Sequence, residues 1–342
     1  MKIHYLIIFF MVLSCGVRPP RKKDNTNNNF NLPPEFDTNT SWVSDISLLP
    51  GNDSPLVTKL GSSVLFENGL VSIPVWYTTN WYPDSTGGTS DVLTKYDSAM
   101  GDVYKTSSTW ESQNANQYKN IKWAGHCNGL AAASIMADAP KHSVTYNNVN
   151  FTVDDIEGLL IEEWQNSYAK AIGKRCESFP ILYDIFTGRA VDETCRGIDP
   201  SLFHIVLTNF LGRFHKAIIV NVEPYNEIWN IPIVSYKILG QQPLTVQDVN
   251  KWLFGFSENT YSYNPKATQW VYFQTMVYFS NGKNKTYEYI LELNDANEMI
   301  GGQWYRGSNK DHPNFIWRPS KPNPEDPYLN TTVVDSIYNQ AF

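Results

Sequence analysis

The sequence predicts an α+β fold in which a helix opening on a cysteine packs against an antiparallel sheet. Three observations carry this. The run Trp123-Ala124-Gly125-His126-Cys127-Asn128-Gly129-Leu130-Ala131-Ala132-Ala133 sets a cysteine between compact polar residues and small apolar ones. That is the pattern of a thiol nucleophile at the first turn of a buried helix, where unpaired N–H groups and the helix dipole favour the thiolate. An inert buried cysteine fits the same pattern. After Gly212 the chain turns to apolar and alternating runs that read as strands, and Asn281-Gly282 between two of them marks a tight hairpin.

A chain of 342 residues, 42% of them hydrophobic, is long enough to bury one or two substantial cores. Its net charge of −7 and the lack of a basic stripe beyond residue 25 argue against a nucleic-acid partner. Aromatic residues make up 14%, which suits thick packing or grooves for peptides and glycans without choosing between them.

The N-terminus reads as targeting. Met1 to Tyr5 is weakly basic, and the apolar run Leu6 to Leu13 is too short to span a bilayer. Val12-Leu13-Ser14-Cys15-Gly16 resembles a bacterial lipobox, so residues 1–15 are expected to be a lipoprotein-type signal with Cys15 lipidated. The expectation is an exported, bacterial membrane-anchored lipoprotein facing the periplasm or the cell exterior; an ordinary signal peptide and secretion are the alternative. Residues 16–35, rich in Asn and Pro, form a disordered tether. Residues 36–342 are expected to be one catalytic domain, with 321–342 a proline-marked C-terminal extension. No later apolar run reaches the length of a transmembrane helix.

Along the domain, Gly69 to Trp76 is strand-like, Lys95-Tyr96-Asp97 opens a helix toward Met100, and the polar stretch Thr106 to Asn120 reads as loop. The helix from Cys127 should end near Met136, before Pro140. Thr152 or Asp154 caps a helix that buries Ile156, Leu159, Leu160 and Trp164. Asp199-Pro200 starts another, from Ser201 to Phe210. Strands follow at Ala217 to Val222, Ile231 to Leu239, Lys266 to Ser280, Asn284 to Leu293 and Met299 to Trp304. A cysteine-bearing helical portion before a sheet portion suits a papain-like arrangement.

A thiol nucleophile needs a base and a group to hold the base. Of the six histidines, His4 lies in the signal, His126 adjoins Cys127 and points elsewhere, and His142 follows a turn. His204 is the first candidate base, His215 the alternate and His312 a weaker third. Asn221 is the first candidate orienting residue and Asn230 the alternate, with Glu223 and Glu227 in reserve. The oxyanion and cleft candidates are the Cys127 N–H with Trp123, His126 and Asn128; Trp110, Trp81 and Trp76 stay open. Cys176 and Cys195 are a possible disulfide or two reduced thiols. No metal-ligand spacing appears; Asp154-Asp155 and Asp192-Glu193 read as solvated caps that at most hold a divalent ion loosely.

These stretches resemble the transglutaminase-elicitor family, secreted transglutaminases of oomycete plant pathogens and their bacterial relatives. Trp123 to Ala133 is similar to its cysteine motif, Cys195 to Asn209 to a second block, Glu227 to Ile233 to a third, and Ile300 to Trp304 with His312 to Trp317 to a fourth. The blocks keep the family's order. The resemblance implies a transglutaminase-like fold and transfer of protein glutamine to lysine or a primary amine through a Cys127 thioester, without a cofactor. It matches His204 to the family histidine, whereas Asn221 stands where relatives carry aspartate. Expected partners are glutamine-bearing proteins, primary amines and, through the lipid, a membrane. A peptidase, amidase or deamidase using the same residues, and a catalytically inactive surface binding protein, are the alternatives.

Overall fold

The computed structural model of the chain describes residues 40–43, 46–62, 65–176, 178, 180–225 and 227–342. The expected signal segment, Cys15 and the tether lie outside them. The helices, in chain order, are α1 (Ser90–Met100), α2 (Thr106–Tyr118), α3 (Cys127–Met136), α4 (Val153–Glu163), α5 (Pro200–Val206), α6 (Val246–Phe254) and α7 (Thr331–Tyr338). A π-helical stretch, Leu207–Arg213, continues α5 directly. The strands are β1 (Thr40–Val43), β2 (Asn68–Leu70), β3 (Val144–Tyr146), β4 (Val149–Phe151), β5 (Tyr168–Gly173), β6 (Ile218–Asn221), β7 (Asn230–Leu244), β8 (Gln269–Phe279), β9 (Asn284–Leu293), β10 (Met299–Trp304) and β11 (Phe315–Lys321).

Apart from the β3–β4 hairpin, the strands form one nine-stranded sheet in the order β1-β5-β11-β6-β7-β8-β9-β10, with β2 paired to β7. The β1–β5 pair is parallel and the others are antiparallel. The alternation of each strand feeds two cores. Ile219 of β6 and Phe315 and Trp317 of β11 face α1, α3, α4 and α7, whereas Ile218, Val220 and Ile316 face α5 and its π continuation. A smaller cluster lies under α6.

Local chemistry accounts for the helices. Thr152 and Asp155 close a capping box on α4, and Asp199 caps α5 with Pro200 in its first turn. α3 is buried on every side from Cys127 to Ser134, as its uniformly small and apolar composition requires.

The polar stretch read as loop is instead helix α2. Its inner face is Ser107, Ser108, Glu111, Asn114 and Ala115, and the Asp97 carboxylate of α1 accepts the N–H groups of Ser107 and Ser108. A tertiary cap, invisible to local pattern, starts it. The strand-like run Gly69 to Trp76 yields only β2. β11 lies centrally between β5 and β6 although it contains Pro319; the register slips between Pro319 and Lys321, which accommodates the missing donor. In the segment after Lys321, α7 buries Val334 and Ile337, and Ala341 follows them, in the core that also holds α3.

Candidate functional site

Cys127 is the first residue of α3 and is completely buried. Its sulfur lies on the N–H groups of Asn230, at the start of β7, and of Cys127 itself. Burial nevertheless pushes the thiol well above its ordinary range, and those N–H groups offset only part of that shift. Asn230 Nδ2 donates to Asn128 Oδ1 at 2.5 Å, and Trp317 Nε1 donates to Asn230 Oδ1 at 3.1 Å. Asn221, at the end of β6, is the cross-strand neighbour of Asn230, so its side chain shares the face turned to α3. Both of its side-chain polar atoms are buried without a hydrogen-bond partner. The helix start is clamped by Gln165, which accepts the Gly129 N–H at 2.9 Å and donates to the Gly125 carbonyl.

The structure brings Cys127, Asn128 and Asn230 together, sets Asn221 beside them, and leaves the imidazoles elsewhere. Among the described residues no imidazole hydrogen-bonds the Cys127 sulfur. His204 lies in the opposite core, its Nδ1 2.8 Å from the Tyr289 hydroxyl and its ring against Phe273. Burial holds it down to about 3, a neutral ring. The sheet stands between it and the thiol because α5 as a whole packs on the face opposite α3, with Phe203, Ile205 and Val206 in the far core. His215 sits beside the Leu70 carbonyl in a cavity shared with Ser134 to Asp138, near the far end of α3. That end, at Met136, is about 14 Å from Cys127 by helix rise. His312 stacks on Trp304 and is pushed down to about 4 by burial. Trp123 is half-buried in the turn before α3.

His126 faces away from the thiol into a buried polar cluster. Its Nε2 lies 2.9 Å from Glu162 Oε2 and 3.4 Å from Glu111 Oε1. Ligand atoms of Asp84, Glu111 and His126 all lie within 4.8 Å of one another. Sequence spacing does not reveal this group because its members come from four separate elements. The two acidic pairs singled out in sequence are structural: Asp155 closes the α4 cap and pairs with Lys95, and Asp192 caps the turn at Glu193–Arg196 and accepts from Ser178. Cys176 and Cys195 are joined in a disulfide.

Beside α3 lies a cleft of about 340 Å³ whose apolar walls include Leu130, Trp229, Pro232 and Phe279. Lys283, Lys285, Glu223 and Asp311 also line it. Trp229 is held edge-on to Trp81 and donates to Glu227 Oε2 at 2.7 Å.

Among solved structures, the chain is similar to the GP42 transglutaminase from Phytophthora sojae, at 22% identity and a TM-score of 0.65, covering 84% of this chain and 94% of that one. At that identity the likeness establishes a shared α+β fold. No curated protein matches the chain. The kinship with an oomycete protein corrects the expectation of a bacterial membrane-anchored lipoprotein. The expected membrane partner is corrected with it. Among the described residues no helix is long and apolar enough to cross a membrane. The model of the Transglutaminase elicitor family matches residues 105–283 and 280–335, spanning α2 through α7. The chain therefore belongs to the transglutaminase elicitor family.

Proposed function

We propose that this chain is a catalytically silent family member that binds a protein segment through the cleft beside α3. The observation that supports this is the company Cys127 keeps. Acyl transfer needs a thiolate and a group that moves protons at neutral pH. Burial pushes the thiol here toward its neutral form, and the polar side chains placed at the start of its helix are the amides of Asn128 and Asn230, with Asn221 paired across from Asn230. An amide can orient a ligand; it cannot serve as base. For His204 to serve, it would have to pass from one face of the sheet to the other, abandoning Tyr289 and Phe273. The cleft offers apolar walls with charges of both signs, which suits a segment that presents an apolar side chain among charged ones.

The competing reading is glutamine acyl transfer by Cys127, with His204 and Asn221 in the roles the family resemblance implies. Intact-mass spectrometry after incubation with a glutamine-bearing protein and a small primary amine separates the two, with Cys127→Ala as control. Silence predicts identical spectra for both proteins. A Cys127-dependent gain of amine mass minus ammonia would establish transfer, a gain of about 1 Da deamidation, and backbone cleavage a peptidase; each would sink the proposal.

A further inference from the structure

We propose that the polar cavity at the start of α5 is a second binding site, for an anionic sugar: a ring that bears a carboxylate or phosphate beside its hydroxyl groups. The cavity encloses about 240 Å³, and its polar lining includes Arg189, Arg196, Asp199, Gln303, Asn309 and His312. α5 packs in the core opposite α3, so this site does not rest on the cleft. The sequence blocks divide between the two. Trp123 to Ala133 and Glu227 to Ile233 supply walls of the cleft, whereas Cys195 to Asn209, Ile300 to Trp304 and His312 supply walls of the cavity.

Arg189 is the first argument. Its guanidinium lies over the Tyr263 ring, 4.1 Å from the ring centre, a contact that holds it in place without using its N–H groups. Among the described residues no hydrogen bond or ion pair meets those groups. The other charges are engaged. Arg196 pairs with Glu193 and donates to the Ala190 and Val191 carbonyls, and Asp199 accepts from the N–H and hydroxyl of Ser201. One cation is left unbalanced, in a fork that matches a carboxylate or phosphate. The Cys176–Cys195 disulfide closes the loop that carries it.

The second argument is a set of acceptors. His312 is 2% exposed, and burial holds it down to about 4, a neutral ring. Its Nδ1 faces the Pro313 carbonyl at 3.4 Å and takes the N–H, so Nε2 keeps a lone pair that meets no donor of the described chain. Gln303 Nε2 donates to Glu292 and Asn309 Nδ2 to the Thr187 carbonyl, which leaves both amide oxygens without a protein donor. A bare anion would answer Arg189 and none of these acceptors; a neutral sugar would do the reverse. A hydroxylated ring with an acidic group answers both, and its apolar face suits the Trp304 indole that stacks on His312.

Isothermal titration calorimetry of the full chain tests this with D-glucuronate, D-glucose 6-phosphate and, as neutral control, D-glucose. At least one anion is expected to bind one-to-one with a Kd of about 1 mM or below, ordinary for a single ring. Glucose should bind at least about tenfold more weakly, the value of a charge-assisted bond to one guanidinium. The tighter anion identifies the acidic group. Arg189→Gln should weaken binding at least about tenfold, and so should Asn309→Asp, which sets a negative charge in the cavity at unchanged side-chain size. Lys119→Gln, an equal loss of charge on the exposed side of α2, should bind as wild type does. Thermal melts that match wild type show that the variants are folded. The proposal is overturned if neither anion gives binding heat at tenfold that Kd, if glucose binds as tightly as the anions, or if folded Arg189→Gln and Asn309→Asp both keep wild-type affinity.

Discussion

Gly129 tests whether α3 lies as close to α4 as the account requires. A Cβ there would stand 1.9 Å from the Ile161 carbonyl oxygen, 2.8 Å from its carbon and 3.1 Å from Gln165 Oε1. The first two are backbone of α4 and have no rotamer to escape by. Helix propensity alone favours Gly129→Ala by about 1 kcal/mol. Against this, overpacking in a filled core costs about 1–3 kcal/mol, and a backbone collision falls at the upper end. Displacing Gln165 from the Gly129 N–H adds about 1 kcal/mol. The net expectation is a loss of about 2–3 kcal/mol, opposite in sign to propensity. Urea unfolding followed by tryptophan fluorescence measures it. Gly307→Ala is the control, since a Cβ there meets nothing within 4 Å, and it should change stability by less than about 0.5 kcal/mol. If Gly129→Ala stabilises the protein or behaves like the control, the close approach that buries Cys127 is mistaken.

Other consequences are equally concrete. Asn230→Ala removes the partner of both Asn128 and the Trp317 indole, and leaving buried groups unmet should cost about 3 kcal/mol by urea melt. Burial, reinforced by Asp335, pushes the Glu163 carboxyl up to about 8, whereas the unfolded group titrates near ~4.3. The folded state holds the extra proton between those values, so this group's full favourable contribution is present below the window and is lost as pH rises through it. Glu163→Gln should therefore be more stable than wild type by about 1–2 kcal/mol at pH 9 and equal to it at pH 4, as denaturant titrations at the two pH values will show. The Cys176–Cys195 bridge spans 19 positions, so the double Cys→Ser variant should lose about 3 kcal/mol, near 5 °C in Tm by calorimetry.

The elements with local signals were legible in the sequence. The capping residues Thr152 and Asp199, the all-apolar β6 core and the Asn281-Gly282 turn each state their structure within a few residues. α2 was not, because its polar inner face and its cap by Asp97 are tertiary. β11 was hidden by Pro319, and α7 by the prolines before it. At the site, the residues that surround Cys127 in space include the alternate Asn230 and the expected Asn128, whereas His204 has the right composition around it for a buried base and the wrong face of the sheet. No sequence pattern reports which side of a sheet a helix will take. The cluster at His126 escaped for a related reason: its members are single residues on separate elements, with no spacing to find.

The most direct test of a silent, buried thiol is the rate at which iodoacetamide alkylates Cys127 in the native protein from pH 5 to pH 9, read by peptide mass and referred to the unfolded chain. The account predicts native labelling at less than about a hundredth of the unfolded rate throughout, because the thiol is both enclosed and neutral. Fast labelling that persists down to pH 5 would mean a thiolate stabilised by an imidazolium, and would contradict it.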